Sequence, residues 1–289
     1  MRRACIDIGS NTTRLLVAEC DGDRLLEVHQ ERAFTRIGRG VLADGSIAPA
    51  KIAEVADVVA AQLRRAGELG VQDVRGVATA AIRRSRNGAA LVEAIRSGCG
   101  LPVEILSGEE EARLAFVGAA RTLGHVPAGQ LGVVDVGGGS SELAVGTVPD
   151  EVSWSTSFAV GSGDLADGCL RSDPPSLAEL SEARARVARA LEGLKAPHPA
   201  EAVAVGGSAA SLRLLAGPVL DADAFERSLG LLAGELAADL ARRFGLAVDR
   251  VRLLPAGLLI LEAVSQLFGA GLQIGCGGIR EGLLLEAGG

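Results

Sequence analysis

Short apolar runs of strand length alternate with longer stretches of helical period along the whole chain. Two of the short runs carry the clearest pattern. Leu131–Val136 and Leu143–Val145 flank Gly137-Gly138-Gly139-Ser140-Ser141, and Cys5–Ile8 and Leu15–Val17 flank Gly9-Ser10-Asn11-Thr12-Thr13. Each reads as an apolar strand, a turn of small residues and a second strand. Cys5–Val17 superposes without gaps on Val133–Val145. Asp7 falls on Asp135, Gly9 on Gly137, Thr12 and Thr13 on Ser140 and Ser141, and Arg14 on Glu142. Because the match extends to polar positions, the repeat predicts two like-folded halves facing each other across a cleft.

The remaining pattern fills in both halves. Leu25–Ala33 continues the first sheet. Ile52, Val55, Ala56, Val59 and Leu63 share one helix face that stops at Gly70, and Val74–Ala78 is a strand. A helix through Leu91 and Ile95 and a strand at Val103–Leu106 follow. Ser107 with Glu110 predicts a capping box opening the next helix. In the second half, Trp154–Val160 is a strand, and a helix runs through Leu177, Leu180, Val187, Leu191 and Leu194. Ala202–Val205 is a strand entering Gly206-Gly207-Ser208. Phe225, Leu229, Leu232, Leu236, Leu240 and Phe244 make one continuous apolar stripe. A helix from Pro255 to Leu267, a strand at Gln273–Cys276 and a terminal helix complete an α/β chain.

Composition narrows the function. The net charge of −7 argues against bulk attraction to nucleic acid or anionic membranes, and one Trp with no Tyr leaves no stacking platform for single strands. Nearly all positive charge is arginine, since lysine occurs only as Lys51 and Lys195. The five cysteines lack C-x-x-C spacing, which indicates neither disulfides nor zinc. Asp7 interrupts any signal-peptide core, and the greasiest run, Leu253–Ala263, contains Pro255 and Glu262. A cytoplasmic protein is expected.

The glycine turns supply candidate chemistry. Without side chains, successive backbone N–H groups approach an anion closely. Asp135 and Glu142 flank their turn where a hydrated divalent cation would sit beside a phosphate. The segment is not a dinucleotide fingerprint, because Glu142 replaces the third glycine, and no Gly-Lys-Ser/Thr of a P-loop occurs. In Glu109-Glu110-Glu111 the first two carboxylates have a sufficient role at a helix start; Glu111 lies one step deeper and is the one with capacity for chemistry. The arginines of Arg32–Arg39 and Arg83–Arg86 read, on composition alone, as solvated surface charge.

Taken in order, Ile6–Asn11, Ala78-Thr79 with Arg83 and Asn87, Ser107–Arg113, Asp135–Glu142, Val205-Gly206-Gly207 and Gly278–Gly282 resemble the exopolyphosphatase / guanosine pentaphosphate phosphohydrolase (Ppx/GppA) family. The resemblance implies duplicated ribonuclease-H-like domains of the actin / sugar kinase / heat-shock-protein ATPase fold, at 1–124 and 125–278, with 279–289 as a terminal helix packing back on the first. It implies Glu111 as the general base, Arg83 as a grip on the substrate phosphate, and Asp7, Asp135 and Glu142 around magnesium, or manganese in its place. Ser10, Asn11, Thr12 and Thr13, with Gly137, Gly138, Gly139, Ser140 and Ser141, match the two phosphate loops, and Gly207 and Ser208 a third phosphate contact. The implied reaction releases terminal orthophosphate from polyphosphate, short chains above all, or from guanosine pentaphosphate, in a homodimer. Asp164 stands where many relatives carry arginine, so Asp164→Arg is expected to tighten polyphosphate binding. Two other functions fit the same cleft: a non-catalytic sensor of guanosine alarmones, and an ATP-dependent sugar or acetate kinase.

Overall fold

The computed structural model describes residues 1–22 and 24–286. Two sheets form its two halves. The first has the order β3-β2-β1-β4-β5, with β1 Arg2–Ile8, β2 Thr13–Asp21, β3 Arg24–Ala33, β4 Asp73–Ala78 and β5 Val103–Ile105. The second contains β6 Leu131–Val136, β7 Ser141–Thr147, β8 Glu151–Phe158, β9 Glu201–Val205, β10 Val219–Leu220 and β11 Leu272–Ile274, in the order β10-β11-β9-β6-β7-β8. In each sheet an antiparallel three-strand meander leads into parallel neighbours through its first strand, β1 beside β4 and β6 beside β9. These are duplicated ribonuclease-H-like domains of the actin / sugar kinase / heat-shock-protein ATPase fold.

The repeat read from the sequence is kept in the register. Asp7 pairs across the ladder with Arg14 and Ile8 with Thr13, as Asp135 pairs with Glu142 and Val136 with Ser141. Gly9 N donates to Thr12 O and Gly137 N to Ser140 O, both at 3.0 Å. Even the ladder irregularity recurs, between Val17 and Ala18 in one half and between Val145 and Gly146 in the other. A bulge bends and twists its strand, so both meanders curl alike.

Between the sheets lie the helices Gly108–Thr122 and Ile279–Glu286, packed along each other. The terminal helix also packs on β1 and β2, and its partner on β6, β7 and β8. One apolar cluster therefore draws on both halves: Cys5 and Leu16, Phe116 and Ala119, Val133 and Ala144, Leu283 and Leu284. The helices meet without side chains, since a Cβ on Gly118 would overlap the Gly278 carbonyl and one on Gly282 the Leu114 carbonyl. The end of the proposed terminal segment, 287–289, lies outside the described residues.

Four expectations need amending. The stripe from Phe225 to Phe244 is two helices, Ala222–Gly234 and Ala237–Phe244, with Glu235 extended between them. Gly234 is a weak helix former, and Asp173 Oδ1 accepts from Ala237 N at 2.8 Å, satisfying a donor at the start of the second helix. The helix meant to reach Leu194 ends at Leu191, ahead of Gly193 at φ +77°. At Ser107 only half of the capping box forms: its hydroxyl accepts from Glu110 N at 3.1 Å, but the Glu110 carboxylate turns to Arg113. The apolar run proves longer than Leu253–Ala263. Val248–Phe268 has the length and mean hydropathy, 1.5, of a membrane span, yet 67% of it is buried inside the fold, where it forms core.

Candidate active site

A cleft of about 380 Å³ lies between the halves. The two glycine turns border it from opposite sides and pack closely against each other. A Cβ on Gly138 would stand 2.9 Å from Asn11 Cβ, and one on Gly139 2.5 Å from Ser10 Oγ. Each turn is pinned by its carbonyls. Gly38 N donates to Ser10 O at 3.0 Å and Arg36 N to Asn11 O at 2.9 Å. Ser162 N donates to Gly137 O, and both Gly163 N and Asp164 N to Gly138 O, each at 2.9 Å. Among the described residues the amides of Ser10, Asn11, Gly138 and Gly139 donate to no protein acceptor. Backbone donors without acceptors, fixed by anchored carbonyls, make an anion nest.

The acidic residues gather below the turns. Asp7, Glu111, Asp135, Glu142 and Glu281 all line the cleft. Asp7 Oδ1 is buried with no hydrogen-bond partner. Burial pushes Asp7 up from the ordinary carboxylate range against the pull of Arg14. Asp135 is raised to about 6 by burial, with Asp7 and Glu281 adding to the shift and Arg14 opposing it. Burial and the Asp135 charge raise Glu142, while hydrogen bonds from Ser140 and Ser157 oppose the shift; Ser157 Oγ donates to Glu142 Oε1 at 2.8 Å. Gly206, at φ +85°, is required where it is, because a Cβ would overlap the Asp135 carboxylate.

Glu111 sits in the first turn of the helix Gly108–Thr122 and is 3% exposed. Its carboxylate pairs with Arg83 Nη1, which also donates to Leu106 O at 2.7 Å. Burial and then the Glu142 charge drive Glu111 upward, with Arg83 holding it back. A carboxylate so placed is poised to accept a proton near neutral or alkaline pH.

The structure sorts the residues expected from the sequence. Asp7, Ser10, Asn11, Thr12, Glu111, Asp135, Gly137, Gly138, Gly139, Ser140, Glu142 and Gly207 line one cleft. Thr13 and Ser141 do not. Strand pleating sends Asp7 and Arg14 to one face and Ile8 and Thr13 to the other; Thr13 Oγ1 bonds Thr35 Oγ1 at 3.0 Å, and Ser141 Oγ donates to Val160 O at 2.7 Å. Ser208 is 1% exposed and faces Gly257 of the core helix instead. Arg83 engages Glu111 rather than the open cleft, so here it orients that carboxylate. Nor is Arg83–Arg86 mere surface charge: Arg84 pairs with Asp164 at 3.0 Å, which neutralises the carboxylate expected to repel a polyanion. Sequence reading missed Arg14, Arg32, Arg213, Arg250 and Arg280, all of which line the cleft. The repeat held one signal, since it set Arg14 on Glu142, a position flanking the turn.

The model of the Ppx/GppA phosphatase family matches residues 16–288. Exopolyphosphatase 2 of Mycobacterium tuberculosis is 35% identical over 255 residues, covering 84% of this chain and 79% of its own. Exopolyphosphatase 1 of Mycobacterium bovis is 28% identical over 304 residues, covering 99% of this chain and 88% of its own. Among solved structures, the Aquifex aeolicus Ppx/GppA family member superposes with a TM-score of 0.83 at 28% identity, covering 99% of this chain and 97% of that one. The chain belongs to the Ppx/GppA phosphatase family, and it is an exopolyphosphatase-like phosphoanhydride hydrolase.

Proposed function

We propose that this protein is a magnesium-dependent phosphohydrolase that removes terminal orthophosphate from inorganic polyphosphate, short chains included, and from guanosine pentaphosphate, which presents the same triphosphate end. The observation that carries the reading is the convergence of two unpartnered amide nests, from opposite halves, over one buried glutamate. Amides of Ser10, Asn11, Gly138 and Gly139 hold the oxygens of the terminal phosphoryl group, where charge spreads in a loose transition state. Glu111 takes a proton from the attacking water as the terminal P–O anhydride bond breaks. Arg83 fixes the direction of the Glu111 carboxylate.

The donor set suits a divalent ion. Asp7 has an orphaned buried oxygen, and burial holds the neighbouring Asp135 and Glu142 away from full ionisation, a strain that a cation relieves. Among the described residues no three side chains form a protein-only chelate. That favours magnesium, which keeps waters and takes one or two carboxylates together with substrate phosphates. When bound, the ion supplies charge to the leaving phosphate oxygen. Of Asp7, Asp135 and Glu142, one or two would hold it directly and the rest through its waters.

Buried Glu111 favours catalysis over the sensor reading, because binding alone needs no base. Phosphate release is expected from polyphosphates of graded length and from guanosine pentaphosphate, rising with added magnesium; tight binding without release in any of these would establish the sensor instead. Asp135→Asn is expected to raise the magnesium concentration for half-maximal rate by about 10-fold or more, the scale seen for loss of even an outer metal-site partner. An unchanged titration would put the ion elsewhere.

A further inference from the structure

Each glycine turn is fixed from behind by one element of its own half. Ser10 O and Asn11 O accept from Gly38 N and Arg36 N, so segment 34–40 supports the first turn. Gly137 O and Gly138 O accept from Ser162 N, Gly163 N and Asp164 N, so the start of the helix Ser162–Cys169 supports the second. Both supports fit closely. A Cβ on Gly161 would lie 2.4 Å from Gly138 C, and one on Gly38 would sit in contact with Ser10 O at 3.7 Å and Asp164 Oδ1 at 3.6 Å. Among the described residues Arg36 is the one non-glycine at positive φ, +47°. A conformation of that kind persists only where its surroundings over-determine it.

The two supports are also tied to the opposite halves. They border one groove outside the turns, lined by Arg36, Arg39, Gly163, Asp164 and Asp167. Arg39, from the first support, makes a two-pronged pair with Asp167, from the second, at 2.5 and 2.9 Å. Asp164 is held by Arg84 at 3.0 Å, and Arg36 pairs with Asp249. In each pair the arginine belongs to the first half and the aspartate to the second. A single exposed ion pair is worth little, but a two-pronged pair within a network is the exception. None of these six side chains lines the cleft that holds Glu111. Their route to it is the backbone of the turns. Gripping one phosphoryl group between two amide nests requires a fixed separation of the nests, and the Arg39–Asp167 pair joins the supports of both.

We propose that Arg39 and Asp167 are positioning residues for phosphate release: their pair ties the support of one nest to the support of the other and so sets the separation of the nests around the terminal phosphoryl group. Neither side chain touches substrate. This rests on the phosphohydrolase reading of the nests. Asp164 shares in the tie through Arg84, which changes the expectation for it. Asp164→Arg sets two guanidinium groups against each other and is expected to lower kcat, not to tighten polyphosphate binding.

The test is kcat and KM for phosphate release from tripolyphosphate with magnesium, in the full chain carrying Arg39→Met, Asp167→Ala or both. Each single variant is expected to lose about 10-fold or more in kcat, inside the about 10²-fold that a misplacement of about 1 Å can cost, with KM within about threefold of wild type. The double variant should be no slower than the singles, because the pair acts as one unit. Both side chains are exposed, so both variants are expected to fold; a merely structural effect would lower the melting temperature without splitting kcat from KM. As a control, Arg184→Met breaks the exposed Arg184–Glu262 pair within the second half and should stay within about twofold. Hydrogen exchange reads the tie without turnover. Asp167→Ala is expected to speed exchange of the Arg36 and Gly38 amides in the opposite half, and Arg39→Met that of Ser162 and Gly163. Unchanged kcat in either single variant overturns the proposal, as do additive losses in the double variant or a loss seen in KM alone. A wild type that releases no phosphate while exchange still quickens in the variants would sink the phosphohydrolase reading and keep the tie. Unchanged exchange in an active enzyme sinks the tie alone.

Discussion

Glu111→Gln is expected to lower phosphate release by about 10²–10⁴-fold, the range for loss of a general base, while tripolyphosphate still binds. Glutamine keeps the size of the side chain and can still hydrogen-bond Arg83, so the helix start is undisturbed. It cannot take the proton from water. The pH profile gives an independent readout. Burial and Glu142 raise Glu111 above the ordinary carboxylate range, and only the ionised form works as a base. The rate at subsaturating substrate should therefore climb with pH along a limb centred above that range and flatten once Glu111 is fully ionised. In Glu111→Gln that limb should vanish. Full turnover in the variant, or an unchanged profile, would take the base role from Glu111.

Gly118→Val is expected to cost about 1–3 kcal/mol or more through overpacking, lowering the melting temperature on the order of 5–10 °C. The Gly118 and Gly278 backbones are in direct contact, and the space that a side chain needs is occupied by the Gly278 carbonyl. Since total stability is about 5–15 kcal/mol, the loss is a large fraction. The helix that would be pushed aside carries Glu111 in its first turn, so the specific activity of the remaining folded protein should drop as well. A melting temperature equal to wild type would mean that the helices separate easily at this crossing.

Much of this was legible in the chain because it is local. A glycine turn between two apolar strands needs neighbouring residues alone, and the two hairpins announce each other through shared polar positions. Asp7 and Asp135 followed from that repeat, Glu142 from its place beside the glycine turn, and Glu111 from its depth in a helix start. What was misread depended on direction. Thr13 and Ser141 stand beside the turn in sequence, but one step along a strand reverses the face, a rule that counting from Asp7 and Asp135 would have applied. Ser208 fails for the helical equivalent, pointing at Gly257 in the core. Arg213 and Arg250 carry no local signal at all. They reach the cleft through tertiary packing, as isolated arginines on two different helices. Likewise Arg83 gave no hint that its partner would be Glu111, 28 residues on.

The helix pair between the sheets has a consequence for dissection of the protein. Cutting the chain near residue 124 would leave Phe116 and Ala119 on one fragment without the Val133–Ala144 wall, and Leu283 and Leu284 on the other without Cys5 and Leu16. Neither piece would be autonomous. Denaturation should accordingly proceed as one concerted event, with intrinsic Trp154 emission and far-ultraviolet ellipticity tracing the same curve.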